Sequence, residues 1–319
     1  MPHRVRPNLV SGELRRVSFV STRARPIRSA LFVPGNREDR MLKAPKYGAD
    51  ALIFDLEDAV AQSDKQTARH SVRGALEQLG DSGPALFVRI NALESGLADE
   101  DLEAIVVRGL YAVMVPKVSG PEEVREVEVL LKFFEKRRHL EHGRVLIDPL
   151  LETAQGLRQA YEVAIASARI AHMGAITGKD GDIARAVGFG WTAEGQEVLH
   201  VLSKVLLDAR AAGVPFPLGG RGWWEIGSLE GLRAEAQRTK QLGYTGMLLI
   251  HPSHIPVVNQ VFSPTIEEIE RWKGLLAAVE QSLRTGSAVA IYQGAMVDTA
   301  HAKLAQQMLE WARHLGVAQ

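Results

Sequence analysis

Short runs of consecutive apolar residues alternate along this chain with longer segments in which apolar residues recur at helical spacing. Runs that are apolar at every position are typical of strands whose sheet is covered on both faces, and such sheets are parallel. The strand candidates are Ala30–Val33, Ala51–Phe54, Ala85–Ile90, Ala112–Val115, Val145–Ile147, Ile170–Met173, Val214–Phe216 and Met247–Ile250. The clearest helical segments are Glu38–Tyr47, Asp64–Gln78, Pro121–Arg137, Gln155–Ser167, Gly195–Ala212 and Ser228–Leu242.

Eight strand candidates in alternation with helices predict a (β/α)8 barrel, the TIM-barrel architecture of the α/β class. A doubly wound open sheet is the alternative, because it uses the same alternation. The first run leads into the turn Pro34-Gly35-Asn36 and not into the G-x-G-x-x-G of a dinucleotide-binding sheet. We therefore expect the barrel, over residues 27–262.

Two segments flank the predicted barrel. Residues 1–26 form a basic tail with six arginines and one acidic residue, Glu13, and they lack the apolar stretch of a secretory signal. Residues 263–319 have helical patterns over Ile266–Thr285 and His301–Leu315, so we expect a C-terminal helical arm outside the barrel. Between these helices the sequence SAVAIYQGAMVDTA is too apolar for a disordered linker, and we expect it to pack on a neighbouring element or subunit.

Composition excludes several classes of function. The chain has 319 residues, of which 46% are apolar, enough for one large core. Lys+Arg and Asp+Glu number 38 each, so no global field attracts nucleic acid or an anionic membrane. No apolar run reaches the length of a membrane span. The absence of cysteine excludes disulfides, thiolate metal sites and a cysteine nucleophile, and it fits a cytoplasmic protein.

Ionisable residues follow six of the strand candidates at their carboxyl ends, which converge on one mouth in a barrel. They are Asp55, Glu57, Asp58, Arg89, Lys117, Asp148, Glu152, Asp180, Asp182 and His251. Carboxylates without thiolates suit Mg²⁺, which is held by one or two carboxylates together with waters and substrate. Glu152 and one of the two later aspartates would form that pair, and Arg89 would take a substrate carboxylate in a bidentate fork. Such a site would hold a keto acid and stabilise an enolate while a carbon–carbon bond breaks or forms.

Seven motifs in order carry a family resemblance between Arg28 and His254. They are RSALFVPGN, FDLEDAV, VRIN, VPKV, LLETAQGL, DIARAVG and LIHPSH. Together they resemble the citrate lyase β-subunit-like family of the HpcH/HpaI aldolase superfamily. The resemblance implies a TIM barrel that binds Mg²⁺ and assembles as a homotrimer or homohexamer. It also implies lyase or reversible condensation chemistry on thioesters such as citryl-, malyl- or citramalyl-CoA.

The same resemblance assigns roles to residues of this chain. Glu152 and Asp182 would be the metal ligands, and Arg89 would hold the carboxylate of the keto acid. Arg28 and Lys117 would be further substrate-binding residues at the mouth, meeting a carboxylate or a phosphate of CoA.

Two more residues complete the implied catalytic group beside Arg89. Glu57, in the acidic motif after the second strand, would bind metal waters or orient Arg28 and Lys117. In family members a Met-x-Asp segment of the arm brings an acid–base aspartate to the neighbouring subunit's site, and GAMVD puts Asp298 in that place.

One loop departs from the family pattern. Family members run from the sixth strand through a short glycine turn to the metal aspartate, whereas Met173–Asp182 is longer here and contains two aspartates. The spacing to Gly188 favours Asp182 over Asp180, although the sequence leaves both open. The longer loop bears on the acyl pocket more than on the metal. Trp223 and Trp224, which follow the seventh run, either line the mouth or cover an apolar rim or subunit contact.

We therefore expect a Mg²⁺-dependent carbon–carbon lyase acting on a 3-hydroxyacyl-CoA, or the reverse condensation. Three alternatives share most of its residues. One is a CoA-independent aldolase on pyruvate or oxaloacetate, and another is a malyl-CoA thioesterase. The third is a homologue that binds a ligand without turnover.

Overall fold

The structure is a computed structural model that describes residues 23–317, so most of the predicted basic tail lies outside the described residues. Its strands are β1 (Ser29–Pro34), β2 (Ala51–Asp55), β3 (Ala85–Arg89), β4 (Ala112–Val115), β5 (Leu146–Pro149), β6 (Ile176–Thr177), β7 (Gly220–Arg221), β8 (Met247–Leu249), β9 (Val289–Tyr292) and β10 (Ala295–Asp298). Six of them form a curled parallel sheet in the order β5-β4-β3-β2-β1-β8. The prediction of a parallel sheet is therefore confirmed.

Both faces of this sheet are buried, which explains the continuous apolar runs. One face, with Ala30, Ile53 and Phe87, packs into an inner cluster of small and large side chains. The other, with Leu52 and Val88, packs against the surrounding helices in a second and larger cluster. Successive residues of a strand point to opposite faces, so every position of such a strand is apolar.

The full eight-stranded barrel is not confirmed. The sixth and seventh predicted strands, Ile170–Met173 and Val214–Phe216, are not strands in the structure. The two-residue strands β6 and β7 follow them and pair in a separate parallel sheet. Isolated bridges join this part of the chain to the six-stranded sheet, as between Ile147 and Ile170 and between Leu218 and Gly246. Gly220, the first residue of β7, has a φ of 110°, a backbone conformation that residues with a side chain rarely adopt.

The helices agree closely with the predicted ones, because helical periodicity over many residues is a strong signal. They are α1 (Glu38–Lys43), α2 (Lys65–Leu79), α3 (Ala98–Ile105), α4 (Pro121–Arg137), α5 (Ala154–Arg158), α6 (Ala160–Ala164), α7 (Asp182–Val187), α8 (Gln196–Ala211), α9 (Leu229–Leu242), α10 (Ile255–Phe262), α11 (Ile266–Arg284) and α12 (Thr299–His314). The predicted helix over Gln155–Ser167 is divided into α5 and α6, since the backbone at Gln159 leaves helical geometry. No helix within residues 23–317 is long and apolar enough to cross a membrane.

The C-terminal segment consists of α11, a hairpin and α12. The hairpin of β9 and β10 lies in the apolar stretch that links the two predicted helices, for which the sequence analysis predicted no strands. Its two-residue turn, Gln293-Gly294, has φ values of 49° and 79°, as a hairpin turn of this length requires. Val279 and Val297 share a small core within the segment. Trp311 of α12 packs on Phe216 of the sheet domain, with ring centroids 5.9 Å apart.

One carboxyl group of the sheet interior is fully buried and has no charged partner among the described residues. Asp148 of β5 is 1% exposed, and its Oδ2 forms no hydrogen bond with any described residue. Burial raises the pKa of Asp148 to about 8. The folded protein therefore keeps this carboxyl protonated at neutral pH, where the same group in the unfolded chain is ionised.

We expect the Asp148→Asn substitution to change how stability depends on pH. The folded state binds one more proton than the unfolded state between about pH 4 and pH 8, so this group lowers stability by about 1.4 kcal/mol per pH unit as pH rises. Asparagine needs no proton, so the free energy of unfolding of the variant relative to wild type should increase by roughly 4 kcal/mol from pH 5 to pH 8. Urea unfolding at the two pH values measures this difference, with the exposed Asp180→Asn as control. The same relative stability at both pH values would contradict the buried protonated carboxyl.

Candidate active site at the carboxyl edge of the sheet

Two strand ends bring a carboxylate and a guanidinium together at one edge of the sheet. Asp55, the last residue of β2, lies opposite Arg89, the last residue of β3. Arg89 donates from Nε to Oδ1 of Asp55 at 2.8 Å and from Nη2 to Oδ2 at 2.6 Å. The arginine is thus held by a two-bond fork, and its guanidinium also lies over the ring of Phe32, 4.9 Å from the centroid.

This fork restricts how Arg89 can bind a substrate. Its Nε and Nη2 edge is occupied by Asp55, so the free bidentate edge predicted from the sequence is reduced to the edge formed by Nη1 and Nη2. Burial alone would lower the pKa of Arg89, but its hydrogen bonds and attraction to Asp55 outweigh burial and raise it. Burial alone would also raise the pKa of Asp55, and the same fork holds it below the ordinary value instead. Both groups are therefore charged at neutral pH.

Glu57 joins this pair to a lysine from the next strand end. Its Oε2 lies 3.1 Å from Nη1 of Arg89, and its Oε1 accepts a hydrogen bond of 2.7 Å from Nζ of Lys117. Burial raises the pKa of Glu57, and the two cations oppose that rise. The backbone is held as well, because Asp55 accepts hydrogen bonds from the amides of Glu57 and Ala59 at 2.9 and 3.1 Å.

Lys65 holds the backbone of the same loop and was not among the residues predicted from the sequence. Its Nζ donates to the carbonyl oxygens of Leu56 and Glu57 at 2.6 and 2.7 Å. The signal for it was weak, because Lys65 is the first residue of α2 and a lysine there looks like an ordinary surface residue. It is 9% exposed, and it fixes the backbone that carries Glu57.

Lys117 and Glu152 are the next neighbours around this edge. Lys117 adopts a left-handed backbone with φ of 55°, which is uncommon for a residue other than glycine. Its amide donates to Oε2 of Glu152 at 3.2 Å, while its Nζ reaches back to Glu57. Burial raises the pKa of Glu152 to about 7, Arg89 opposes the rise, and the carboxylates of Glu57 and Asp182 add to it.

Asp182 opens α7 close enough to act on this group electrostatically. Burial is the largest influence on the pKa of both neighbours, raising that of Glu152 and opposing the rise for Lys117. The negative charge of Asp182 adds to the rise for Glu152 and, after Glu57 and Asp58, to the rise for Lys117. Its side chain pairs with Arg185 in the same helical turn. Asp180 lies on the exposed loop, with φ of 57°. Of the two aspartates, Asp182 is therefore the one that the described electrostatics connect with Glu152.

The donor set is suited to a hard cation that keeps most of its coordination sphere for other ligands. No three Asp, Glu or His side chains converge as a ready ligand set within residues 23–317. Glu152 and Asp182 offer carboxylate oxygens. Burial destabilises the ionised form of Glu152, and a neighbouring cation would stabilise that form. Two carboxylates with water and substrate oxygens match the way Mg²⁺ is bound in many enzymes.

Arg28 does not belong to this cluster, which corrects the expectation from the motif. It precedes β1, so it lies at the amino edge of the parallel sheet, opposite to the ends that carry Asp55 and Arg89. There it binds Asp50 through Nε and Nη2 at 2.8 and 2.7 Å, and Nη1 donates to Ser263 at 2.8 Å. Arg28 therefore joins the sheet to the segment after α10.

Asp298 lies in the arm, at the end of β10 and the start of α12. Its partners are the amides of Ala300 and His301, at 2.9 and 3.2 Å, and the ring of His301. Within residues 23–317 no hydrogen bond or ion pair links Asp298 to Glu57, Arg89 or Lys117 of the same chain. Its catalytic role stays a prediction that requires a second copy of the chain.

Three tryptophans form a cluster beside the loop that carries Asp182. Trp224 contacts Trp191 edge-on and stacks on Trp223, with centroids 4.7 and 5.5 Å apart. Lys179 of the long loop lies over Trp224, with Nζ 5.8 Å from the ring centroid. Arg221 is 4% exposed, pairs with Glu235 and lies 4.0 Å from the centroid of Trp191. Arg221 therefore stabilises the tryptophan cluster, and its charge is already paired with Glu235.

An open depression of about 600 Å³ adjoins the cluster of charged groups. Glu57, Asp58 and Lys117 form one side of it, and the turn between β3 and α3, including Asn91 and Glu94, forms another. A small molecule can therefore reach Glu57 and Lys117 from solvent.

Comparison with known proteins agrees with this arrangement. The HpcH/HpaI aldolase/citrate lyase family matches residues 28–252. Citrate lyase subunit beta of Leuconostoc mesenteroides subsp. cremoris is 34% identical over 285 residues, 89% of this chain and 93% of that protein. A (3S)-malyl-CoA thioesterase of Cereibacter sphaeroides is 34% identical over 286 residues, 90% of this chain and 94% of that protein.

A solved structure is similar over almost the whole chain. It is protein CitE from Mycobacterium tuberculosis in complex with magnesium, acetoacetate and coenzyme A, with 31% identity and a TM-score of 0.70. The similarity covers 91% of this chain and 99% of that one. Sequence motifs, the ordered carboxylates and cations at the sheet edge, and these similarities lead to one conclusion. The chain belongs to the HpcH/HpaI aldolase/citrate lyase family.

Proposed function

We propose that this protein is a Mg²⁺-dependent carbon–carbon lyase that cleaves a 3-hydroxyacyl-CoA to a shorter acyl-CoA and a keto acid, or catalyses the reverse condensation. The observation that carries the proposal is the group of Arg89, Glu57, Lys117 and Glu152, joined by contacts of 2.7–3.2 Å at one edge of the sheet. Family membership supports it, as do the names of the relatives, a citrate lyase subunit and a malyl-CoA thioesterase.

Glu152 and Asp182 would hold the Mg²⁺ of this enzyme. Their carboxylates fit, because burial and mutual repulsion leave Glu152 with a raised pKa that a bound cation would lower. The similar CitE structure contains magnesium, which supports the choice of metal. When bound, the ion would polarise the keto oxygen and stabilise negative charge on it.

The protein side chains would position the acid part of the substrate. The Nη1 and Nη2 edge of Arg89, whose Nη1 also lies 3.1 Å from Oε2 of Glu57, would bind the carboxylate of the keto acid, since Asp55 occupies its other edge. Lys117 would add a second positive charge, oriented by Glu57. Because Asp55 and Glu57 are themselves held by backbone amides and by Lys65, these cations are ordered before substrate arrives.

The arm would complete the site of a neighbouring copy in a homotrimer or homohexamer. Within residues 23–317 the hydrogen bonds of the Asp298 side chain go to Ala300 and His301 and not to the charged cluster, so a role in moving a substrate proton would require arm and site to come from different copies. We also propose that β6, β7 and the segments before them close the curled sheet into a (β/α)8 barrel through their single bridges.

A thioesterase is the second candidate, because one of the 34% identical relatives carries that activity in its name. It would use the same carboxylate-binding groups but deliver water to the thioester carbonyl. The long loop with Lys179 next to the tryptophan cluster is where this chain departs from the family pattern, so substrate choice would depend on it.

The products distinguish the two activities. We expect malyl-, citramalyl- or citryl-CoA to give a keto acid and a shorter intact thioester, with no free thiol, in a reaction that needs Mg²⁺ and stops with chelator. Free thiol with free hydroxy acid would establish the thioesterase instead. No product from any thioester would refute the CoA function, and turnover of free oxaloacetate with aldehydes would then point to the CoA-independent aldolase.

A further inference from the structure

One wall of the depression beside the charged cluster carries an asparagine that is hydrogen-bonded through its nitrogen atoms only. Asn91 follows Arg89 by two residues, lines the depression and is 4% exposed. Its Nδ2 and its backbone amide both donate to Oδ2 of Asp101, each at 2.7 Å. No hydrogen bond within residues 23–317 reaches its Oδ1, and this oxygen is not one of the fully buried unpartnered atoms of the structure. Oδ1 is therefore free to accept a hydrogen bond in the depression.

The partners of Asp101 determine which way the carboxamide of Asn91 points. Asp101 is fully buried, and its Oδ1 accepts from Nε of Arg69 at 2.7 Å. A carboxylate paired with a guanidinium accepts hydrogen bonds and donates none, so Asn91 must turn its NH2 group toward Asp101. A flipped amide would set two acceptors against each other. The oxygen of Asn91 is thus an acceptor whose orientation is fixed before substrate arrives.

Helix α2 holds both walls of the depression. Lys65 and Arg69 lie one helical turn apart on α2, and they are 9% and 8% exposed. Lys65 donates to backbone carbonyl oxygens of the loop that carries Glu57, which forms one wall. Arg69 holds Asn91 on the other wall through Asp101. The separation of the two walls is therefore set by a single helix.

The lining of the depression is rich in acceptors, and both of its cations are already engaged. Glu57, Asp58 and Glu94 contribute carboxylates to the lining, against the ammonium groups of Lys65 and Lys117. Nζ of Lys117 lies 2.7 Å from Glu57 and 3.6 Å from Asp58, and Lys65 is bonded to backbone carbonyl oxygens. A phosphate group would meet net negative charge there. A neutral group with N–H and O–H donors would be favoured instead.

The position of the depression assigns it to one part of a thioester substrate. Arg89, Glu152 and Asp182, which would bind the acid and the metal, do not line it. Glu57 and Lys117 do line it, and they contact Arg89 and Glu152 respectively. The depression therefore borders the reaction site without including it. The part of a CoA thioester that adjoins the reacting carbons is the pantetheine arm, which is uncharged and carries amide N–H groups and a hydroxyl group.

We propose that this depression is the subsite for the pantetheine arm of the thioester, and that Oδ1 of Asn91 accepts a hydrogen bond from an amide N–H of that arm. The inference rests on the proposed lyase function and adds a substrate-binding residue to it. Asp101 and Arg69 are positioning residues, because they act on the substrate only through Asn91. The bond aligns the thioester with the metal site, and the nucleotide of CoA lies outside the depression.

The test varies the thiol arm of the substrate and uses the full-length protein. The acid that wild type cleaves is supplied as its CoA, pantetheine and butyl thioesters, of which the last has no amide. Asn91→Ala should lower kcat/KM about tenfold for the CoA and pantetheine thioesters, as one hydrogen bond to the arm is lost, and should leave the butyl thioester within about twofold. Where the butyl thioester is too slow to assay, its inhibition constant against the pantetheine thioester gives the same comparison.

Two further variants test the positioning and the specificity of the effect. Asp101→Asn places an N–H against Nδ2 of Asn91, so the carboxamide should flip and present a donor to the depression. The same loss with the same dependence on the arm is expected, and thermal unfolding shows whether the variant is folded. Asn259→Ala is the matched control, because Asn259 bonds Ser29 and the carbonyl oxygen of Gly48 at 2.7 and 2.9 Å, at the amino edge of the sheet. It should keep the wild-type ratio among the three thioesters.

The possible outcomes separate this inference from the lyase function. A loss confined to the CoA thioester would place the nucleotide in the depression. An equal loss with all three thioesters, or no loss in folded Asn91→Ala, would mean that Asn91 does not bind the arm. Each of these results overturns the inference and leaves the lyase function intact, whereas wild-type protein that cleaves no thioester overturns both. Asn91→Ser, which keeps a donor for Asp101, repeats the comparison if Asn91→Ala does not fold.

Discussion

Glu152→Gln is expected to abolish catalysis while leaving the fold intact. Burial and two neighbouring carboxylates raise the pKa of Glu152 to about 7. A bound cation would therefore strongly stabilise its ionised form. Glutamine keeps the size and the acceptor oxygen that the amide of Lys117 contacts, but it removes the charge. Loss of metal polarisation is worth several kcal/mol in the transition state, so we expect kcat to fall by roughly 10³-fold or more.

Direct metal binding distinguishes this explanation from a loss of structure. Calorimetric titration with Mg²⁺ should show clear binding to wild type and at least about tenfold weaker binding to Glu152→Gln. Thermal unfolding in chelator should give nearly the same midpoint for the two proteins. Glu162→Gln, on the exposed surface of α6, is the matched control and should behave as wild type. Full Mg²⁺ affinity together with lost activity would contradict Glu152 as a metal ligand.

Arg89→Lys is expected to have the second largest effect, on both substrate binding and stability. Lysine keeps a positive charge but cannot form the two-bond fork with Asp55 and present a second edge to a substrate carboxylate. In the condensation direction the KM for the keto acid should rise by roughly 10²-fold, as a buried charge-assisted pair is lost. Because Asp55 is 1% exposed, its weakened pairing should also lower the free energy of unfolding by about 2 kcal/mol.

Two measurements separate the role of Arg89 in substrate binding from its role in pairing with Asp55. Steady-state kinetics with the keto acid varied report substrate binding, and urea unfolding reports the loss at Asp55. Arg73→Lys is the control, because Arg73 forms an exposed pair with Glu77 on α2 and should tolerate lysine in both measurements. An unchanged KM with reduced stability would mean that Arg89 serves only to neutralise Asp55.

Several features of this fold were predictable because they depend on local pattern. The runs of Ala51–Phe54 and Ala112–Val115 are apolar at every position because both faces of the sheet are buried, and that arrangement implies parallel strands. The helix Pro121–Arg137 was predicted at both ends, since proline in the first turn and acidic residues beside it favour a start there. Strand ends carry chemistry in such folds, so Arg89, Lys117 and Glu152 were predicted to lie near one another, and contacts through Glu57 and the amide of Lys117 link them in the structure.

Other features depended on contacts that no local pattern encodes. A run such as Ile170–Met173 looks like a strand, but its pairing depends on distant backbone, and the strand forms later, at Ile176–Thr177. The motif around Arg28 suggested a place at the mouth, whereas Asp50 and Ser263 hold it at the opposite edge. The free edge of Arg89 likewise depended on where Asp55 lies in three dimensions.

The sequence by itself determined the family, the parallel sheet and the residue types at the strand ends, because motifs and hydrophobic periodicity depend only on residues that are close together in the chain. Only the tertiary structure decided which charges meet. It paired Arg89 with Asp55, left Asp148 buried without a charged partner among residues 23–317, and placed His301 against Asp298 at the start of α12. The physical reason is that burial and electrostatic interaction depend on distances of a few ångströms, often between residues far apart in the chain. For residues close in sequence, such as Asp298 and His301, the distance depends on the local helical turn.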